Sequence, residues 1–268
     1  MSSAPFCNDH SASGIGVADR KAFPRSQQNA INHRGGARWP WTLVRAVLFD
    51  VDGTLVDSNA FHIQAWRKAF AHYGIELTFE QVHEQTGKGG DQMIPVFCSE
   101  EQVAKFGEAL DKLQGEIFRR EYLPLVRPFP EVRELFERLR ADGIRIALAT
   151  SSKKSELEVH IGKLGVGDLI TAATSADDAE HSKPAPDIFE AARGKLGDVR
   201  PDEAIVIGDT PYDVEAAGRA GVAAIAFECG GWTRADLRGA REIYGGPSDL
   251  VERYETSILG GLRSPARV

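Results

Sequence analysis

The stretch Val44-Arg45-Ala46-Val47-Leu48-Phe49-Asp50-Val51-Asp52-Gly53-Thr54-Leu55-Val56-Asp57-Ser58-Asn59 decides the reading of the whole chain. A continuous apolar run ends in two acids one residue apart, then a glycine. Such a run, bounded by a turn signal, reads as a buried strand over residues 44–49. Alternation along an extended chain sends Asp50 and Asp52 out on the same side. Asp52-Gly53 is also an ordinary turn dipeptide. A turn, however, does not call for a second carboxylate beside the first.

Downstream of this strand the period changes to that of helices. Phe61, Ala65, Trp66, Ala69, Phe70 and Tyr73 recur at three and four, with Gly74 as the stop. A second stripe follows through Val103, Phe106, Leu110, Leu113 and Ile117. From Pro128 and Pro130 onward, strands and helices alternate. The pattern predicts helix 131–142, strand 144–149, helix 153–164, a short strand 168–172, helix 185–197, strand 204–207, helix 211–220 and strand 222–227. Apolar strands alternating with helices give an α/β class, a Rossmann-like parallel sheet core with helices on both faces. The core is expected from residues 44–58 and 128–258, with a helical domain inserted at 59–127.

Residues 1–43 are rich in Ser, Asn, Gln, Arg and Gly and lack either period, which predicts a disordered leader. They have no continuous apolar segment of the signal-peptide kind, while their Arg and Ser content also allows an organelle transit peptide. Residues 259–268 are expected to form a flexible tail.

The formal net charge of -7 argues against nucleic acid or an anionic membrane as the main partner. No apolar run reaches the roughly 18 residues of a membrane helix. Three scattered cysteines without ligand spacing point to a reducing cytoplasm rather than a disulfide framework.

In open α/β sheets, sites lie beyond the carboxyl ends of the strands. Those ends carry Asp50 and Asp52, then Thr150-Ser151-Ser152, then Gly208-Asp209-Thr210-Pro211-Tyr212-Asp213, with Ser182-Lys183-Pro184 before the helix at 185. Each cluster alone has an ordinary explanation as a turn, a helix cap or a solvated lysine. Gathered together, the four acids repel one another. At about 4 Å and an effective dielectric near 20, each like pair costs roughly 4 kcal/mol. A hard divalent cation such as Mg²⁺ would relieve this. Lys183, Thr150 and backbone N–H groups could then take the oxygens of a phosphate.

The segments DVDGTLVDS (50–58), LATSS (148–152), SKPAPDIF (182–189) and IGDTPYDVEAA (207–217) resemble, in order, the four motifs of the haloacid dehalogenase superfamily. The insertion point resembles that of its small-cap members, among them phosphoglycolate phosphatases and β-phosphoglucomutases. The resemblance implies Asp50 as nucleophile and Asp52 as general acid/base. It implies Thr150, Ser151 and Lys183 on the phosphoryl group. It also implies Mg²⁺ held by Asp50, the backbone carbonyl of Asp52 and Asp209, with Asp213 either a further ligand or a partner to one of them.

An acid at Asp52 favours phosphate esters over the halides that other members displace. AFHIQAW (60–66) resembles the start of the cap helix, with His62 assisting Asp52 as in the mutases. The cap loop TGKGGDQM (86–93) should reach the leaving group, with Lys88 as its only cation. Similar mutases carry an arginine there. The expectation is a Mg²⁺-dependent phosphatase acting on a small phosphorylated metabolite, phosphoglycolate-phosphatase-like, with a sugar-phosphate mutase as the alternative. A monomer or homodimer should suffice. The cap should close on hinges near Val56–Asn59 and Leu125–Pro130.

Overall fold

A computed structural model describes residues 43–260. Six strands form one parallel sheet: β1 (Ala46–Phe49), β4 (Arg145–Ala149), β5 (Ala172–Thr174), β6 (Ala204–Gly208), β7 (Ala223–Phe227) and β8 (Glu242–Tyr244). Their order across the sheet is β5-β4-β1-β6-β7-β8. A two-stranded antiparallel ribbon, β2 (Val56–Asp57) and β3 (Arg127–Pro128), stands apart from it.

β1 sits at the centre because all four of its side chains are apolar and fully buried. Alternation splits them between the two faces. Val47 and Phe49 pack on one face with Phe136 of α5 (Val132–Ala141) and Leu250 of α9 (Pro247–Glu252). Ala46 and Leu48 pack on the other with Phe189 of α7 (Asp187–Lys195) and Ala216 of α8 (Pro211–Arg219). α6 (Lys154–Leu164) follows β4. Phe49 lies level with Leu148 of β4 and with Ile207 of β6. This register brings Asp50, Thr150 and Asp209 out at one edge of the sheet.

Between β2 and β3 the chain is helical: α1 (Asn59–His72), α2 (Phe79–His83), α3 (Gly90–Phe97), α4 (Glu100–Ile117) and a π-helical turn Phe118–Tyr122. Reciprocal caps start two of these helices, Thr78 with Gln81 and Ser99 with Gln102. Ile63, Phe70, Leu110 and Phe118 form their buried centre. The ribbon β2–β3 is where the chain leaves and re-enters the sheet region, at the positions where hinges were expected. No helix of the described residues is long and apolar enough to cross a membrane.

Two sequence expectations need correction, and four short elements are not told apart in the sequence. The strand placed at 168–172 is a turn in which Leu169 and Ile170 donate to the Val166 carbonyl, and pairing with β4 starts only at Ala172. β8, α2, α3 and α9 are too short to show a period in sequence. The tail does not begin at 259, because Leu259 is buried and Gly260 donates to Ser257 Oγ. The leader expected at 1–43, beyond Leu43, and the rest of the tail lie outside the described residues.

Phe136 is fully buried with its ring centroid 4.7 Å from that of Phe49. Phe136→Ala should lower the unfolding free energy by about 3–5 kcal/mol, read from urea denaturation.

Candidate active site

Asp50 leaves the end of β1 almost fully buried. It accepts hydrogen bonds from Lys183 Nζ at 2.5 Å and Thr54 Oγ1 at 3.1 Å. Lys183, 1% exposed, also donates to Asp213 Oδ1 at 2.7 Å. Asp213 Oδ2 takes the backbone N–H and hydroxyl of Thr210, the cap of α8. Asp209, at the end of β6, accepts from Thr54 Oγ1 and Asn59 Nδ2, both at 2.8 Å. Two close approaches demand glycine. Gly53 has φ +78°, and a Cβ there would lie 2.3 Å from Asp209 Oδ2. A Cβ on Gly230 would lie 1.8 Å from the same oxygen.

One carboxylate oxygen from each of Asp50, Asp209 and Asp213 lies within 4.8 Å of the others. Burial, opposed by Lys183, and then the charges of Asp213 and Asp52 push the Asp50 carboxyl up to about 7. Burial and the charges of Asp213 and Asp50 hold Asp209 well above the usual range, against hydrogen bonds from Thr54 and Asn59. Burial works against the Lys183 ammonium, but Asp213 and Asp50 outweigh it and raise its pKa. One ammonium facing three carboxylates leaves a surplus of negative charge on hard oxygen atoms. That donor set suits a divalent cation of the Mg²⁺ kind.

Asp52 has a different environment. Its Oδ1 accepts from Ser58 Oγ at 2.7 Å and lies 3.1 Å from His62 Nε2. Its Oδ2 accepts from Ser152 Oγ at 2.7 Å and Thr150 Oγ1 at 3.2 Å. Burial alone would raise its pKa. The charge and hydrogen bond of His62, then the charge of His160 and the Ser58 bond, hold it well below the usual range. Burial likewise opposes charge on His62, but Asp52 outweighs it and raises the imidazole. The His62 ring stacks on Phe118 at 3.7 Å, and Gln114 Nε2 lies 3.5 Å from its Nδ1.

The other predicted residues fall around one cavity. Asp50, Asp52, His62, Lys88, Thr150, Ser151 and Lys183 all line it. Ser151 Oγ is buried without a partner among the described residues, a donor directed at no protein acceptor. Lys88 also reaches Gln85 Oε1 at 2.6 Å and lies over the Tyr212 ring, 4.5 Å from its centroid. The loop after α2 meets the sheet region directly. Gly89 N donates to Ser182 Oγ at 2.9 Å, and Tyr212 OH donates to the Glu84 carbonyl.

Sequence reasoning missed Thr54, Ser58, Asn59, Ser152, Glu156 and His160. Glu156 and His160 are four apart on the inner face of α6, both buried. An acid and a histidine at helical spacing beside Leu157 and Leu164 was the available signal. His160 has neither ring nitrogen hydrogen-bonded, and its Nε2 lies 3.6 Å from Asp52 Oδ1.

A family model described as haloacid dehalogenase-like hydrolase matches residues 47–227. The chain belongs to the haloacid dehalogenase-like hydrolases. This bears out the resemblance read at the four motifs. A phosphoglycolate phosphatase of Aquifex aeolicus is 31% identical over 228 residues, covering 81% of this chain and 99% of its own. The fructose-1-phosphate phosphatase YqaB of Escherichia coli is 28% identical over 181 residues, covering 67% of this chain and 94% of its own. Among solved structures, a putative β-phosphoglucomutase from Bacteroides vulgatus superposes with TM-score 0.74 at 26% identity, covering 83% of this chain and 92% of its own. Within the family the chain is a phosphoric monoester hydrolase.

Removing the buried ammonium leaves its carboxylate partners uncompensated. In metal-free, mildly alkaline buffer, Lys183→Met should cost about 3–5 kcal/mol of stability by chemical denaturation. Added Mg²⁺ should recover part of that loss.

Proposed function

We propose that the chain is a Mg²⁺-dependent phosphatase that hydrolyses a small phosphate monoester through an aspartyl phosphate on Asp50. The observation that carries this reading is the contrast between Asp50 and Asp52. One faces Lys183 and the acid cluster; the other faces His62 and two serine hydroxyls.

Lys183, Thr150 and Ser151 bind the phosphoryl oxygens and orient phosphorus toward Asp50. Asp50 attacks, and the bond from phosphorus to the leaving oxygen breaks. The Asp52–His62 pair holds one proton between its members, and Asp52 passes it to the leaving oxygen to release the alcohol. Water then attacks phosphorus, its proton returns to the pair, and Asp50 is regenerated with free phosphate. Asp50, Asp209 and Asp213, with the Asp52 carbonyl, would hold the Mg²⁺. Bound there, it offsets charge on the phosphoryl oxygens.

We assign residues 59–127 as a cap over a core of 44–58 and 128–258, hinged at the β2–β3 ribbon. The contacts of Gly89 with Ser182 and of Glu84 with Tyr212 hold it shut and exclude water during phosphoryl transfer. Each chain carries all these groups, so a monomer or homodimer serves. A cytoplasmic location suits the free thiols of Cys98 and Cys229.

Phosphoglycolate and fructose 1-phosphate, named for the two curated relatives, are both candidate substrates. A β-phosphoglucomutase-like activity is favoured by one observation, the His62–Asp52 contact. It would need a grip for a second phosphate. Lys88, the only cation in the 86–93 loop, is bonded to Gln85 and covered by Tyr212.

Phosphate release from a panel of small esters should require Mg²⁺, stop with EDTA, and fall at least about 10³-fold in Asp50→Asn. An unchanged rate in that variant would remove the aspartyl phosphate from the account.

A further inference from the structure

We propose that Glu156 selects the leaving group: its carboxylate accepts hydrogen bonds from the hydroxyls of a neutral, polyhydroxylated alcohol and disfavours an alcohol bearing a carboxylate. This rests on the phosphatase reading and names the substrate class for that same site.

α6 turns Glu156 inward on the face it shares with His160, and the side chain is 4% exposed. A buried carboxylate needs partners. Arg119, on the π-helical turn, supplies one, with Nη1 2.9 Å from Oε1. Oε2 accepts no hydrogen bond among the described residues, and the side chain lines the cavity that contains Asp52. The leaving oxygen takes its proton from Asp52, so the leaving alcohol lies on that side of the phosphate. Glu156 lines the same cavity as Asp52 and His62. On this proposal its unfilled oxygen is the acceptor for the alcohol's hydroxyls.

The cavity repeats this preference. Gln114, also buried, presents an amide to it, and Asp111 contributes a second carboxylate. Asp111 is paired with Lys153 at 3.4 Å, as Glu156 is with Arg119. Hydroxyl groups donate to such acceptors. A carboxylate carries no proton to donate and would leave Oε2 without a donor. A site built to bind hydroxyls discriminates sharply, because an acceptor covered by the bound substrate is left unpaired by the wrong one.

Matched esters test this. Glycerol 3-phosphate and 3-phosphoglycerate differ only in a CH₂OH against a carboxylate, as do 2-hydroxyethyl phosphate and phosphoglycolate. With Mg²⁺, the wild-type kcat/KM should favour the hydroxyl member of each pair by about 10- to 100-fold. Glu156→Gln should shrink that ratio about tenfold, chiefly through KM, and Glu156→Asp should restore part of it. A wild-type preference for the carboxylate esters would overturn the proposal and give the leaving group to Lys88. An equal loss for both members of a pair in Glu156→Gln would also overturn it, since that marks a structural role. The wild-type ratios need no variant and decide even if Glu156→Gln fails to fold. Inertness toward both pairs and toward p-nitrophenyl phosphate would overturn the phosphatase reading, and this proposal with it.

Discussion

A single buried ammonium group organises this site. Lys183 is held by Asp50 from the end of β1 and by Asp213 from the first turn of α8. It sits in the segment before α7. Three parts of the chain far apart in sequence therefore meet at one nitrogen. None of these charges could be buried alone, since an uncompensated ion in such a place costs several kcal/mol. The sheet register makes the meeting possible. β1, β4 and β6 are level at Phe49, Leu148 and Ile207, so their carboxyl ends deliver side chains to the same edge.

The surplus of negative charge then does chemical service. Asp50 and Asp209 are raised by burial and by their acidic neighbours, which marks a place suited to a divalent cation. Asp52, only two residues along, is lowered because His62, His160 and Ser58 outweigh burial and favour it as an anion. Two carboxylates on one strand end are thus driven apart in character by their surroundings alone. That separation is what a nucleophile and a proton carrier require.

The sequence was most legible where one residue type has one physical use. The apolar strands, the acids at their ends and Gly53 in its turn could be read because each leaves few alternatives. Gly53 illustrates this: its positive φ and its closeness to Asp209 both exclude a Cβ. Legibility fell where the meaning of a side chain depends on what folds against it. Glu156 and His160 look like ordinary positions on an amphipathic helix. Only the placement of α6 behind Asp52, with Arg119 arriving from the π-helical turn, gives them a polar interior to serve. Asn59 reads as the first residue of a helix, yet it bridges Asp209 and the Gly230 carbonyl. Short elements such as β8 and the turn at 166–170 failed for a simpler reason: too few residues carry a period.

The central claim is that Asp50 takes the phosphoryl group beside a Mg²⁺ held by the neighbouring carboxylates, with Lys183 alongside. A crystal structure of the full chain grown with Mg²⁺ and trifluoroberyllate tests it most directly. The account predicts beryllium bonded to an Asp50 carboxylate oxygen, fluorines contacted by Lys183 and Thr150, and Mg²⁺ in contact with Asp50 and Asp209. Trifluoroberyllate bonded to any other side chain, or Mg²⁺ bound away from these carboxylates, would contradict it.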